Sequence, residues 1–409
     1  MDSRIGRTCH VAGGSAGRGF AAMVLARLTT GAFPDQIDRH AGPDMNAKTP
    51  SIAVAGAGSI VCYVGACLAL AGRDVTLLGR PDVVAAASRG LRVVDLDGRS
   101  RAIAPGAIRA TADPAAAFAA ADIVLVTVKS GDTAAMADLI AAHGLPGAVV
   151  VSLQNGVGNL PVLRDRLGPG RAVLGAMVPF NVVRTDEADG TLSFRRATSG
   201  DTLVEAGRRD LSALLDVEGS PVRETRDIEA VLWGKLLLNL NNALNALSGL
   251  PLARQLADRA WRRVLAAQVA EALAVMARAG IRPARIGAIR PGLLPFLLRL
   301  PDVLFVRLAR RMLAIDPAAR SSMWEDLQRG RKTEIAAFQG AILRLAKENG
   351  MDAPHAERIE HLVHEAEAAG RDWPGIRPEA IGGSHAGAHA AAVGGGVTAR
   401  SRAPVFHRE

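Results

Sequence analysis

Apolar positions along the chain follow two regimes. Between residues 51 and 226, short continuous apolar runs alternate with Ala-rich stretches of helical spacing. Residues 52–55 are an unbroken apolar run ending at Gly56, the pattern of a strand buried on both faces of a parallel sheet. Residues 59–71 then predict a helix and residues 74–78 a second strand. Residues 123–128 and 148–153 predict two more strands, with helical segments between. Strands alternating with helices imply a parallel sheet with right-handed crossovers. Shorter β-patterned pieces follow at 173–178, 191–195 and 201–205. After about Asp227 the strand pattern stops. Residues 228–247, 252–279, 293–314, 320–349 and 353–369 all carry helical spacing, with Gly280, Gly350 and Gly370 placed as C-terminal stops. The fold class this predicts is α/β, with an N-terminal parallel-sheet domain at 49–226 and an all-α domain at 227–375.

The ends fall outside both patterns. Residues 1–48 and 376–409 are rich in small residues without apolar periodicity, and they predict a disordered extension and tail. Met45 is then a candidate functional start. The most apolar segment, residues 292–313, is cut by Pro295 and Pro301 and carries Arg299, Asp302, Arg307, Arg310 and Arg311. A bilayer span needs roughly 20 mostly uncharged residues, so this segment predicts amphipathic helix instead.

The formal charge of +9 changes the picture little. The cations are nearly all Arg, with Lys at only five positions, and no basic run is interleaved with aromatics as single-strand binding requires. Nucleic acid is therefore not an expected partner, although a positive field favours anionic ligands. Three cysteines, Cys9, Cys62 and Cys67, form no CxxC or Cys/His cluster. They predict no metal, and small buried thiols in a reducing, cytoplasmic compartment.

Candidate chemistry begins at Gly56-Ala57-Gly58-Ser59-Ile60-Val61, between the first strand and a helix. Gly56 permits a tight turn, and Gly58 lets a pyrophosphate approach the backbone at the helix N-terminus. This is a Rossmann-type dinucleotide turn whose third glycine is replaced by Val61, which predicts a looser or shifted helix–strand packing. The second strand runs into Arg80 rather than the acidic residue that holds an NAD ribose. A guanidinium suits a 2′-phosphate, so NADPH is the expected cofactor. An ordinary glycine-rich turn and a solvated surface Arg are the bland alternatives.

Three further segments follow in order: Thr127-Val128-Lys129-Ser130, then residues 153–159 (LQNGVGN), then residues 233–239 (WGKLLLN). Beyond them stand Ser321-Ser322-Met323 and residues 331–335 (RKTEI). This set resembles the ketopantoate reductase (2-dehydropantoate 2-reductase) family over residues 51–369. The resemblance implies NADPH-dependent reduction of 2-dehydropantoate to pantoate, in pantothenate and coenzyme A biosynthesis. Lys235 is then the general acid, and Glu334 holds the substrate hydroxyl. Asn155 lies near nicotinamide and substrate, Asn239 and Ser322 bind substrate, and Lys129 lines the cofactor cleft. A second Asn of the family pattern falls on Ala243 here. Asn242, seven residues past Lys235, is the nearest replacement on that face.

Elementary chemistry agrees with these roles. Reduction of a ketone develops negative charge on oxygen, which a proton-donating cation stabilises. Lys235 and Asn239 are four apart on one helical face, and Lys235 stands in an apolar run that lowers its pKa. Other readings remain beside this one: Lys235 as a snorkelling core lysine, Glu334 as a solvated partner of Arg331 or Lys332, Asn155 as an Asx turn, Asn239 as a helix bridge, and Ser322 as a helix-start residue. A reductase of another small 2-oxo acid is the nearest functional alternative, and a catalytically inactive dinucleotide sensor is the alternative of a different class. The second domain is also a candidate homodimerisation surface.

Overall fold

The computed structural model describes residues 49–382, apart from 288 and 309–317. Residues 1–48 and 383–409, and with them Met45, Cys9 and most of the expected extension and tail, lie outside the described residues.

The N-terminal region is built on an eight-stranded sheet. Its strands are β1 (Ser51–Ala55), β2 (Asp74–Leu78), β5 (Arg109–Thr111), β6 (Ile123–Val126), β7 (Val149–Ser152), β8 (Val173–Met177), β11 (Thr202–Glu205) and β12 (Val222–Thr225). Their order is β12-β11-β8-β7-β6-β1-β2-β5. From β5 through β8 every pairing is parallel, and β11 joins β8 antiparallel. The mainly parallel α/β sheet expected from the apolar runs is the architecture observed.

A second, four-stranded sheet has the order β4-β3-β10-β9. It comprises β3 (Leu91–Val94), β4 (Ser100–Ile103), β9 (Val182–Asp186) and β10 (Leu192–Arg196). The apolar pattern anticipated β10 alone among these four. The others are short and partly exposed, so they carry no continuous apolar signal. Their packing explains the first helix, Ser59–Leu70, whose residues Val61 to Leu68 are all buried. A helix apolar on every side needs cover on every side. β2 lies against one flank, and β3, β9 and β10 lie against the other.

The expected consequence of Val61 resolves as a shift. Val61 is buried in the core, and the close helix–strand approach occurs one turn later, at Gly65. A Cβ there would stand 3.0 Å from Leu77 and 3.5 Å from Val54.

The helical region centres on the Ile228–Ser248 helix, capped by Asp227, whose side chain accepts from Ala230 N at 2.9 Å. It ends at Gly249 with φ 64°, a left-handed stop. From Leu232 to Ser248 every residue is buried, because the helices Arg259–Arg278, Ser322–Gln328, Ile335–Glu348 and Pro354–Ala369 surround it while β8 meets its first turns.

Four expectations for this region need correction. Residues 252–279 are two helices, Leu252–Ala257 and Arg259–Arg278, divided at Asp258, whose side chain accepts from Ala260 N at 2.8 Å and starts the second. Residues 320–349 are not one helix. The first helix stops at Gln328, Gly330 takes φ 60°, and a new helix starts at Ile335. Residues 293–308 form two short helices, Leu294–Leu298 and Asp302–Leu308, broken at Pro301, and residues 309–314 lie outside the described part. The chain stays packed beyond 375: Ile376 N donates to Leu247 O at 2.9 Å, and Ile381 is buried. Two isolated apolar residues in a glycine-rich stretch give no periodicity to read.

Candidate active site

The site is assembled at the C-terminal ends of β1, β6 and β7, where the two regions meet. Gly56 follows β1 with φ 106°. A Cβ there would lie 2.9 Å from Val128 Cγ1 and 3.1 Å from Val128 N, so only glycine fits without movement. The Thr127 hydroxyl donates to Gly56 O at 2.9 Å and fixes the turn. A Cβ at Gly58 would have nothing within 4 Å. Gly58 is the N-cap of the Ser59–Leu70 helix, without a side-chain cap bond and without an acidic residue in the first turn. Open space before an uncapped helix N-terminus fits a pyrophosphate. Arg80 caps the next helix after β2 and is largely exposed, its guanidinium 3.7 Å from Asp82 Oδ1. A contact that long and that exposed leaves Arg80 available to an anion.

Lys235 projects from the second turn of the Ile228–Ser248 helix and is 6% exposed. Its Nζ donates to Asn155 Oδ1 at 2.7 Å and to Val178 O at 2.8 Å. An ammonium has three N–H donors, so one remains for a ligand. Burial lowers its pKa to about 8, against a smaller opposing effect of Glu334. The readings of Lys235 as a snorkelling lysine and of Asn155 as an Asx turn are thereby replaced: the Asn155 side-chain oxygen serves the ammonium. Gly234, just before the lysine, admits the main chain of Ala284, whose O would lie 2.8 Å from an added Cβ.

Glu334 reaches the site because the helix breaks. It is the N-cap residue of the Ile335–Glu348 helix, and its Oε1 accepts from the Ser130 hydroxyl at 3.3 Å. Burial raises its pKa, and Lys129 partly offsets this. The preceding loop is pinned by Thr333, whose N and Oγ1 both donate to Glu367 Oε1 at 2.7 Å.

Ser130 belongs to a polar chain that sequence reasoning left unassigned. Ser152 Oγ donates to Gln154 Oε1, Gln154 Nε2 to Thr133 Oγ1, and Thr133 Oγ1 to Asn159 Oδ1. Asn159 Nδ2 donates to Ser130 Oγ at 3.1 Å and to Asn155 O at 2.7 Å. Each donor points the same way, ending on the Glu334 carboxylate and the Asn155 backbone. Ser130, Gln154 and Asn159 all stood inside the segments that carried the resemblance. The Val178 carbonyl had no possible signal, since any residue supplies a main-chain oxygen.

Lys129 does not reach freely into the cleft. Its Nζ pairs with the buried carboxylate of Asp326 at 2.8 Å and donates to Lys332 O at 3.0 Å, and Arg331 takes the other Asp326 oxygen at 2.8 Å. It therefore ties the sheet region to the helical region.

Asn239 and Asn242 are both buried on the Lys235 face of their helix, and each has an amide atom without a partner among the described residues: Nδ2 of Asn239 and Oδ1 of Asn242. Unpaired buried amide groups are costly, and a polar ligand satisfies them. Asn241 and Asn245 are instead spent on structure, since both bond Gln255. Ser322 is partly buried at the first helical position, while Ser321 does the capping, accepting from Trp324 N at 3.2 Å. Among the described residues no cluster of His, Cys, Asp and Glu could hold a metal, and no helix is long and apolar enough to cross a membrane. Cys62 and Cys67 are both buried free thiols whose pKa values burial raises.

Comparison with known proteins identifies the family. The family model described as ketopantoate reductase PanE/ApbA matches residues 52–208, and its C-terminal counterpart matches residues 227–367. The 2-dehydropantoate 2-reductase of Halobacterium salinarum is 29% identical over 329 residues, covering 78% of this chain and 99% of that protein. A PanE/ApbA family ketopantoate reductase from Ralstonia eutropha superposes with a TM-score of 0.65 at 30% identity, over 78% of this chain and 99% of that one. D-mandelate dehydrogenase, solved with NADH and anilino(oxo)acetate, shares the fold at 21% identity, with a TM-score of 0.61 over 78% of this chain and 99% of that one. With both halves matched in order and a lysine, an asparagine and a glutamate gathered between them, this chain is a member of the ketopantoate reductase family, an α/β dinucleotide-dependent oxidoreductase with a helical second domain.

Proposed function

We propose that the protein reduces 2-dehydropantoate to pantoate with NADPH, as a cytoplasmic step of pantothenate and coenzyme A biosynthesis. The observation that carries this reading is the Lys235 ammonium, buried, aimed by two acceptors, and left with one free proton. The residues present suit the cofactor. Gly56, Ala57, Gly58, Ser59, Ile60 and Val61 form the turn and the first turn of helix that would receive the pyrophosphate, and Arg80 would meet a 2′-phosphate. Asn155 would face the nicotinamide end of the cleft, and Lys129 would border it. When bound, reduced nicotinamide supplies the hydride.

The chain's own residues do the rest. Lys235 holds the substrate carbonyl oxygen and gives it a proton as negative charge develops there. A pKa near 8 leaves it mostly protonated at neutral pH yet ready to release. Asn155 and the Val178 carbonyl keep the ammonium in one position, which removes the orientational cost at the moment of reaction. The Glu334 carboxyl accepts from a substrate hydroxyl, and Asn239, Asn242 and Ser322 complete the polar lining.

The test is an NADPH-consumption screen across branched and linear 2-oxo acids, with 2-dehydropantoate expected to give the highest kcat/KM. A higher value for another 2-oxo acid would reassign the substrate while keeping the chemistry. Absence of turnover with all of them, in protein that binds NADPH, would make it a dinucleotide sensor.

A further inference from the structure

The side chain of Asn159 stands between the two groups that the proposed chemistry uses. It is buried at the first position of the Asn159–Leu167 helix. Its Nδ2 donates to Asn155 O at 2.7 Å and to Ser130 Oγ at 3.1 Å, and its Oδ1 accepts from Thr133 Oγ1 at 2.8 Å. Asn155 carries the oxygen that holds Lys235, and Ser130 donates to Glu334. One buried amide thus touches both arms of the site.

Two main-chain carbonyls leave this amide a single orientation, because a carbonyl can only accept. Val128 O lies 2.9 Å from Gln154 Nε2 and so fixes the Gln154 amide, and the same nitrogen donates to Thr133 Oγ1 at 2.7 Å. The Thr133 proton then goes to Asn159 Oδ1. At the other end, Asn155 O requires the Asn159 nitrogen. Since Asn159 donates to Ser130 Oγ, the Ser130 proton must leave in another direction. Its acceptors are Glu334 Oε1 at 3.3 Å and Asn155 O at 3.5 Å. The second is already held by Asn159 at a shorter distance, so the proton goes to Glu334. The Asn155 loop also lies hard against the helix that Glu334 caps. Gly156 has φ 88°, and a Cβ there would stand 3.1 Å from Ala337 O.

We propose that Asn159 is a positioning residue for the reaction: it holds the Asn155 main chain so that Oδ1 aims the Lys235 ammonium, and it turns the Ser130 hydroxyl toward Glu334. The proposal rests on the roles given above to Lys235 and Glu334. Removing the amide releases both arms at once. Asn155 O loses its donor, the Ser130 hydroxyl turns to that carbonyl, and Glu334 loses the bond it accepted. The charged groups facing Glu334 are Lys129, Asp326 and Lys235, and the substitution removes none of them.

The experiment compares wild type with Asn159→Ala and Ser130→Ala. It combines steady-state kinetics with NADPH and 2-dehydropantoate and a carboxyl 13C NMR titration of Glu334, identified by the signal missing in Glu334→Gln. Asn159→Ala should lower kcat about 10–10²-fold, the scale of a catalytic group displaced by about 1 Å. In this variant Glu334 should titrate at higher pH than in the wild type, having lost a hydrogen bond to its charged form. Ser130→Ala, which leaves the bond from Asn159 to Asn155 O in place, should move the Glu334 titration the same way but raise KM more than it lowers kcat. If Asn159→Ala does not fold, Asn159→Asp takes its place with the same expectations, since a carboxylate of the same size cannot donate to Asn155 O or Ser130. A folded Asn159 variant with wild-type kcat and an unmoved Glu334 titration would overturn the proposal, even with a lowered melting temperature, by leaving Asn159 a structural residue only. A wild type that turns over no 2-oxo acid would instead overturn the functional reading, and the NMR titration would still decide whether Asn159 and Ser130 act on Glu334.

Discussion

The Nζ of Lys235 sits 2.7 Å from Oδ1 of Asn155, joining a helix of the second domain to the loop after the fifth parallel strand of the first. The two residues are 80 positions apart. The contact holds the Lys235 ammonium in one position, and it lasts only while the two regions stay in register.

The first prediction follows from that contact. Lys235→Ala should lower kcat by about 10²–10⁴-fold, the range for a general acid, with little change in NADPH affinity. Steady-state kinetics and fluorescence titration of NADPH check this. Normal folding with near-wild-type kcat would remove Lys235 from the mechanism.

The pH profile carries the second. Lys235 must be protonated to donate, and its pKa is lowered to about 8. The value of kcat/KM should therefore fall as pH rises through about 8. Glu334 supports the protonated lysine electrostatically, so in Glu334→Gln the alkaline limb should move to lower pH. Glu334→Gln should also raise KM more than it lowers kcat, because a hydroxyl contact exists in ground and transition states alike. An unmoved alkaline limb in the variant would show that the two groups do not communicate.

Cofactor choice supplies the third. Arg80→Asp should narrow or reverse a preference for NADPH over NADH, since the substitution sets a carboxylate where a 2′-phosphate would lie. Comparing kcat/KM with both cofactors in both proteins decides it. A wild type that uses the two equally contradicts the role given to Arg80.

Gly56→Ala gives the fourth. At φ 106°, with Val128 Cγ1 at 2.9 Å from the new Cβ, the turn cannot hold its shape. A loss of about 1–3 kcal/mol in urea unfolding is expected, together with weakened NADPH binding. Gly58→Ala, with open space around its Cβ, should instead keep stability and lose affinity.

The fifth concerns the C-terminus. A chain cut after Gly375 should be less stable than one cut after Gly382, by about 1–3 kcal/mol, because it loses the buried Ile381 and the bond from Ile376 N to Leu247 O. Equal melting temperatures would mean that residues 376–382 contribute nothing.

Much of the fold was written locally. Continuous apolar runs such as 52–55 and 123–126 fit strands covered on both faces, and the Gly56 turn between strand and helix was readable because backbone geometry requires a glycine there, at φ 106°. Lys235 and Asn239 share a face by helical period, and so their convergence was readable. Tertiary structure decided what depends on distance across the chain. It set Asn155 beneath Lys235 and drew a carbonyl from Val178. It also broke the 320–349 stretch at Gly330, so that Glu334 caps a helix beside Ser130. It committed Lys129 to Asp326, spent Asn241 and Asn245 on Gln255, and left amide atoms of Asn239 and Asn242 unpaired. Periodicity records which side of an element faces inward. It holds no information about which inward-facing groups meet, because that is fixed by packing between elements far apart in sequence.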